Sequence, residues 1–151
     1  MKSDVVIGDN KLELTRFFGY PREAVYAAWT ESHKIEKWWG CKNTTHVRSE
    51  IDLREGGTFK HFMQIEGAGE MAYEGVYAEL NPPEKIVTKS QMDMGPGGTF
   101  ESTTTVEFFE EAGGTRVKLT QVGLPPMPDA GKIISGGFGD AFEKLDGVLA
   151  A

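Results

Sequence analysis

Six stretches of alternating apolar and polar residues follow one another between Thr45 and Val122, and the segments separating them are only three to five residues long. They are Thr45–Leu53, Thr58–Glu66, Glu70–Leu80, Lys85–Met94, Thr99–Phe109 and Thr115–Val122. A period of two with accumulated β-branched residues marks half-buried strands. A parallel crossover needs about a dozen residues or more, so connections this short must join antiparallel neighbours. The separators carry turn chemistry: Arg54-Glu55-Gly56-Gly57, Gly67-Ala68-Gly69, Asn81-Pro82-Pro83-Glu84, Gly95-Pro96-Gly97-Gly98 and Glu110-Glu111-Ala112-Gly113-Gly114. Gly95–Gly98 lacks the Lys and Ser/Thr of a phosphate cradle and leads into a strand, so it reads as a hairpin.

The ends of the chain differ from this meander. Lys11–Phe18 reads as a further strand, with Leu12, Leu14 and Phe18 on one face. Pro21–Trp29 reads as a short amphipathic helix. A second helix runs from Thr30 or Glu31 to about Trp38, with Thr30 or Ser32 as N-cap and Gly40 as its stop. After Pro125, Pro126 and Pro128, the segment Asp129–Ala151 returns to helical period: Ile134, Phe138, Phe142, Leu145 and Leu149 share a stripe. Gly136, Gly137 and Gly139 weaken that helix, and close approach to a neighbour or a bend near its start is the expected compensation.

This order predicts an α+β fold: a seven-stranded curved antiparallel sheet wrapped around one long C-terminal helix, with two short helices between strands 1 and 2. All 151 residues form a single domain, 1–151. Three or four helical side chains do not fill the hollow of a strongly curved sheet, so a small-molecule cavity is expected between the two, with its mouth near the short helices.

Charge and composition narrow the partners. A net charge of −7 argues against nucleic acid, whose non-specific affinity comes from clustered cations. Cys41 is the single cysteine, and His33, His46 and His61 show no ligand spacing, so neither a metal nor a cofactor is expected. No apolar run is long enough for a leader or a membrane span, and a cytoplasmic protein is the default. A homodimer is left open.

Strand parity supplies the cavity candidates. Phe59, His61 and Met63 share one face, Tyr73 and Tyr77 another, Phe100, Ser102 and Thr104 a third, and Val117, Leu119 and Gln121 a fourth. Phe138 and Phe142 come from the last helix. Trp38 and Trp39 lie about 100° apart on a helix, so one packs inward while the other lines the cavity mouth, or both seal the sheet edge. His61 is either a titratable group in an apolar pocket or an outer-face residue beside Lys60. Glu74 is the acid candidate if the face it shares with Val76, Ala78 and Leu80 points inward. His61 and Glu74 are thus the only catalytic candidates, and no nucleophile triad can be assembled.

The segments Arg16–Thr30, Trp38-Trp39-Gly40, Leu53–Phe59, Gly75–Glu84 and Gly114–Thr120, in this order, resemble the SRPBCC superfamily. Within it they resemble the branch named after the activator of the heat-shock protein 90 ATPase. The resemblance spans about residues 11–149. It implies the helix-grip fold of START domains and the birch-pollen allergen, with a central apolar cavity, and no particular reaction. One departure is Gly137-Phe138, where relatives often carry Gly-Trp. Three functions follow as expectations: binding of an apolar or aromatic small molecule in the cavity, a cyclase- or hydrolase-type enzyme using the same cavity, and a co-chaperone-like interaction module. The co-chaperone has a separate N-terminal domain, for which this sequence leaves no room.

Overall fold

The computed structural model describes residues 4–93, 99–125 and 127–151. Among them, eight strands form one antiparallel sheet: β1 (Asp4–Gly8), β2 (Lys11–Phe18), β3 (Thr44–Ile51), β4 (Thr58–Ile65), β5 (Gly69–Asn81), β6 (Lys85–Asp93), β7 (Thr99–Glu111) and β8 (Gly114–Val122). The spatial order is β1-β2-β8-β7-β6-β5-β4-β3. Strands β3 to β8 therefore form a continuous meander, and β2 returns to pair with β8 at the far side. The Gly95–Gly98 turn lies outside the described residues.

The strand missing from the sequence reading is β1. Its residues Asp4–Gly8 are all exposed, and three consecutive apolar side chains give no period to detect. It exists because it pairs with β2 across a turn in which Asn10 takes a positive φ of 53°.

Helix α1 (Arg22–Thr30) follows β2, and α2 (Ser32–Ile35) follows α1. The expected side-chain cap of α2 is not made. Glu31 occupies the N-cap, and Thr30 stays in the last turn of α1, its hydroxyl donating back to the Tyr26 carbonyl. Helix α2 is also shorter than expected. It loosens into turns through Trp38 and the chain changes direction at Gly40, whose φ of +94° suits glycine.

Helix α3 (Ala130–Ala150) packs on the concave face. Phe142 and Leu145 are fully buried, with Ile134, Phe138 and Leu149 partly buried against the same core. Gly75 lets β5 and β6 close up: a Cβ there would lie 2.3 Å from the Lys89 carbonyl oxygen and 2.9 Å from the Phe59 ring. That ring lies across the glycine from the paired position on β4.

Candidate functional site

The space between sheet and helix is nearly filled at one end and open at the other. At the filled end α1 and α2 contribute aromatic side chains of their own. Trp29 makes edge contacts with Trp38, Phe108 and Phe142, the ring centroids lying 4.7, 5.6 and 5.7 Å away. The Trp38 indole N–H donates to the Ala28 carbonyl at 2.9 Å, tying the turns after α2 to α1.

Four residues expected to line the cavity belong instead to this packed core or its sheet. Trp38, Val117 and Phe142 are fully buried and line neither of the two hollows described below, and the hydroxyl of Ser102, likewise outside both, lies 2.8 Å from that of Ser90. The expectation counted only α3 as filler; the tryptophans of the short helices fill the gap it left.

Two neighbouring hollows lie between sheet and helix, with three wall residues in common. The inner one is a chamber of about 40 Å³ beneath α1 and α2, bounded by Trp39, Phe59, His61, Tyr73, Tyr77, Thr104, Leu119 and Phe138. Trp29, Ile35, Ile86, Thr88 and Val106 complete its wall, none of which parity analysis had singled out. The outer one is a groove of about 280 Å³ beneath the first half of α3, with Met63, Phe100 and Gln121 among its walls. Its remaining lining comes largely from Cys41, Ile65, Met71, Ile133, Ile134 and Ala141. Trp39, Tyr73 and Phe138 belong to both walls and form the partition. Trp39 stacks on Tyr73 at 5.5 Å and meets Phe138 edge-on at 6.2 Å.

His61 faces this interior and is buried. Its ring lies 4.8 Å from Trp39 and 5.1 Å from Phe59, and its Nδ1 is 2.9 Å from the Ser49 hydroxyl. Burial lowers its pKa to about 3, because the charged form would lose its hydration. At neutral pH it is a neutral hydrogen-bonding group. Tyr73 is pushed up by burial, an effect partly offset by the hydroxyls of Ser90, Thr104, Ser102 and Thr88 around it. Burial raises Tyr77 strongly. The Thr104 hydroxyl is near the Tyr73 phenol but buried, and it makes no hydrogen bond of ordinary geometry among the described residues.

Glu74 is on the other side of the sheet. Its carboxylate lies 3.5 Å from the Lys60 ammonium, and Val76 beside it is exposed. Glu74 and Val76 alternate with the inward-facing Tyr73 and Tyr77, and a register shift follows between Tyr77 and Glu79. Leu80 packs against the core although it shares sequence parity with Glu74, because the irregularity reverses the phase between them. His61 and Glu74 thus have no common space in which to exchange a proton. Arg54 pairs with Asp52 at 2.9 Å in an exposed turn, a structural role.

A family model for Activator of Hsp90 ATPase homolog 1-like protein matches residues 19–150. The chain belongs to this family. Solved structures share its fold over nearly the whole length. A protein from Chromobacterium violaceum superposes with a TM-score of 0.83 at 23% identity, covering 95% of this chain and 99% of that one. A protein from Rhodobacter sphaeroides gives 0.82 at 19%, covering 99% of each chain. An AHSA1-like protein from Aeromonas hydrophila gives 0.73 at 22%, covering 93% and 92%. A search of curated proteins gave no significant match. The helix-grip architecture is that of the SRPBCC superfamily, whose fold accommodates hydrophobic ligands at the level of the family. Among the described residues no helix is long and apolar enough to cross a membrane.

Proposed function

We propose that the chain binds an apolar or aromatic small molecule in the groove beneath the first half of α3. The observation that carries this reading is the groove itself: about 280 Å³ of free volume whose walls are mostly apolar side chains such as Met63, Met71, Phe100 and Ile134. Contiguous apolar surface in a concavity is costly to leave wet, and covering it with a ligand recovers about 25 cal/mol per Å². Trp39 and Phe138 supply flat faces for stacking, and Gln121 adds a buried amide to the wall.

An acid/base enzyme reading built on His61 and Glu74 lacks a shared site, since the two side chains sit on opposite faces of the sheet. Binding needs neither to transfer a proton.

Thermal unfolding against a panel of aromatic and alkyl probes, with native mass spectrometry to count bound molecules, tests the proposal. A ligand present at one hundred times its Kd stabilises the fold by about 2.7 kcal/mol. One-to-one complexes with a matching rise in Tm are expected. A panel that leaves Tm unchanged and gives only the bare mass would overturn the reading.

A further inference from the structure

The chamber behind the aromatic partition differs in chemistry from the groove in front of it. Its wall carries polar groups, and one of them is not satisfied by the protein. The Thr104 hydroxyl lies near the Tyr73 phenol but is buried and makes no hydrogen bond of ordinary geometry among the described residues, although it can both donate and accept. His61 uses Nδ1 on Ser49, and its ring borders the same chamber. The Thr88 hydroxyl and Tyr73 stand on the same wall. A buried polar atom left unpaired costs free energy, so such an atom on a cavity wall calls for a complement from outside the chain.

Size limits that complement. About 40 Å³ admits roughly three water-sized groups, which suits a substituent and not a ring system. The groove beyond Trp39, Tyr73 and Phe138 has the volume for the ring system. Charge limits it further. None of the described residues lining either space is Lys, Arg, Asp or Glu. The Lys144 ammonium is near the groove but turned to the carbonyls of Trp39 and Cys41, at 3.4 and 3.5 Å. An anionic substituent in the chamber would shed its hydration with no cation to replace it.

We infer that the inner chamber seats an uncharged hydrogen-bonding head group, so that the ligand is an amphiphile with an aromatic or alicyclic body in the groove and a neutral hydroxyl or carbonyl directed at Thr104 and His61. This assignment rests on the small-molecule reading above and specifies its ligand class. The competing occupant of the chamber is water, which would satisfy the same hydroxyl without favouring any ligand head.

Calorimetric titration of the full chain at pH 7 with naphthalene, 2-naphthol and 2-naphthoate separates these cases, because the three share one body. 2-Naphthol should bind about tenfold tighter than naphthalene, the net value of one or two neutral hydrogen bonds. 2-Naphthoate should bind at least about a hundredfold more weakly than 2-naphthol. In Thr104→Val, a near-isosteric change, the naphthol-to-naphthalene ratio should fall to about one. Equal affinities for naphthalene and 2-naphthol in the wild type overturn the inference whether or not the variant folds. A naphthoate that binds as well as the naphthol does the same, as does a ratio that survives the substitution. In each of those outcomes naphthalene still binds and the groove stands. Silence from all three compounds and from the wider probe panel would remove the small-molecule reading together with this one.

Discussion

Ringing an imidazole with aromatic side chains removes the water that would stabilise its charge, and His61 drops to a pKa of about 3 against about 6.5 in an unfolded chain. The sign follows from proton counting. Between these values the unfolded state binds a proton that the folded state refuses, so the stability held above pH 6.5 is lost as pH falls towards 3. From pH 8 to pH 5 the loss due to this one group is about 2 kcal/mol. Urea unfolding of the wild type and of His61→Phe at both pH values should show that difference between the two proteins. Parallel pH profiles would mean that the imidazole is hydrated. Strand parity already set His61 beside Phe59 and Met63, but it left open which face was buried, since Lys60 and Phe62 alternate with them equally well. The tryptophan pair was similarly half legible. Helical geometry separates the two indoles, while the choice of Trp38 as anchor depends on the Ala28 carbonyl ten residues earlier.

At the scale of elements, the length and order of β2 to β8 followed from period and punctuation, because an alternating face and a short Gly- or Pro-bearing loop leave the chain few alternatives. Strand β5 resisted that logic. A single irregularity between Tyr77 and Glu79 reverses the alternation, and nothing in the residue types of Ala78 and its neighbours announces it. The reversal is testable with two residues of identical parity. Leu80→Ala should cost about 1–2 kcal/mol, because Leu80 packs against the core, whereas Val76→Thr should lie within about 0.5 kcal/mol of wild type. Similar costs at both positions would place them on one face and refute the phase change.

Helix α3 gives a second result at this scale. Close approach to a neighbour was one of the two expected compensations for its middle glycines, the other being a bend near its start, yet a Cβ at Gly136 or Gly139 would meet nothing within 4 Å. The close approach is at Gly131, where a Cβ would lie 2.6 Å from Ile7 of β1. Gly136→Ala and Gly139→Ala should therefore each stabilise the protein by about 0.5–1 kcal/mol, readable as a rise in the urea midpoint at constant m. A fall in midpoint would show that the helix needs freedom at these positions.

Over the whole molecule, the sheet wraps a helix that touches it unevenly. The short helices plug one end with Trp29 and Trp38, and the other end stays open under Ile133, Ile134 and Phe138. The sequence carried the wrapping, since only α3 was long enough to cover the concave face. It did not carry the unevenness, which depends on how far large side chains from α1 and α2 reach across the hollow. Binding therefore belongs to the open end. Methionines report on it directly: Met63 and Met71 line the groove, while Met127 is exposed outside it. With methyl-labelled methionine, titration of the chain with naphthalene should shift the Met63 and Met71 resonances in a saturable, one-to-one manner and leave Met127 in place. Resonances of Met63 and Met71 that stay fixed up to the solubility limit of the probe, or that move no more than Met127, would contradict a binding groove under α3.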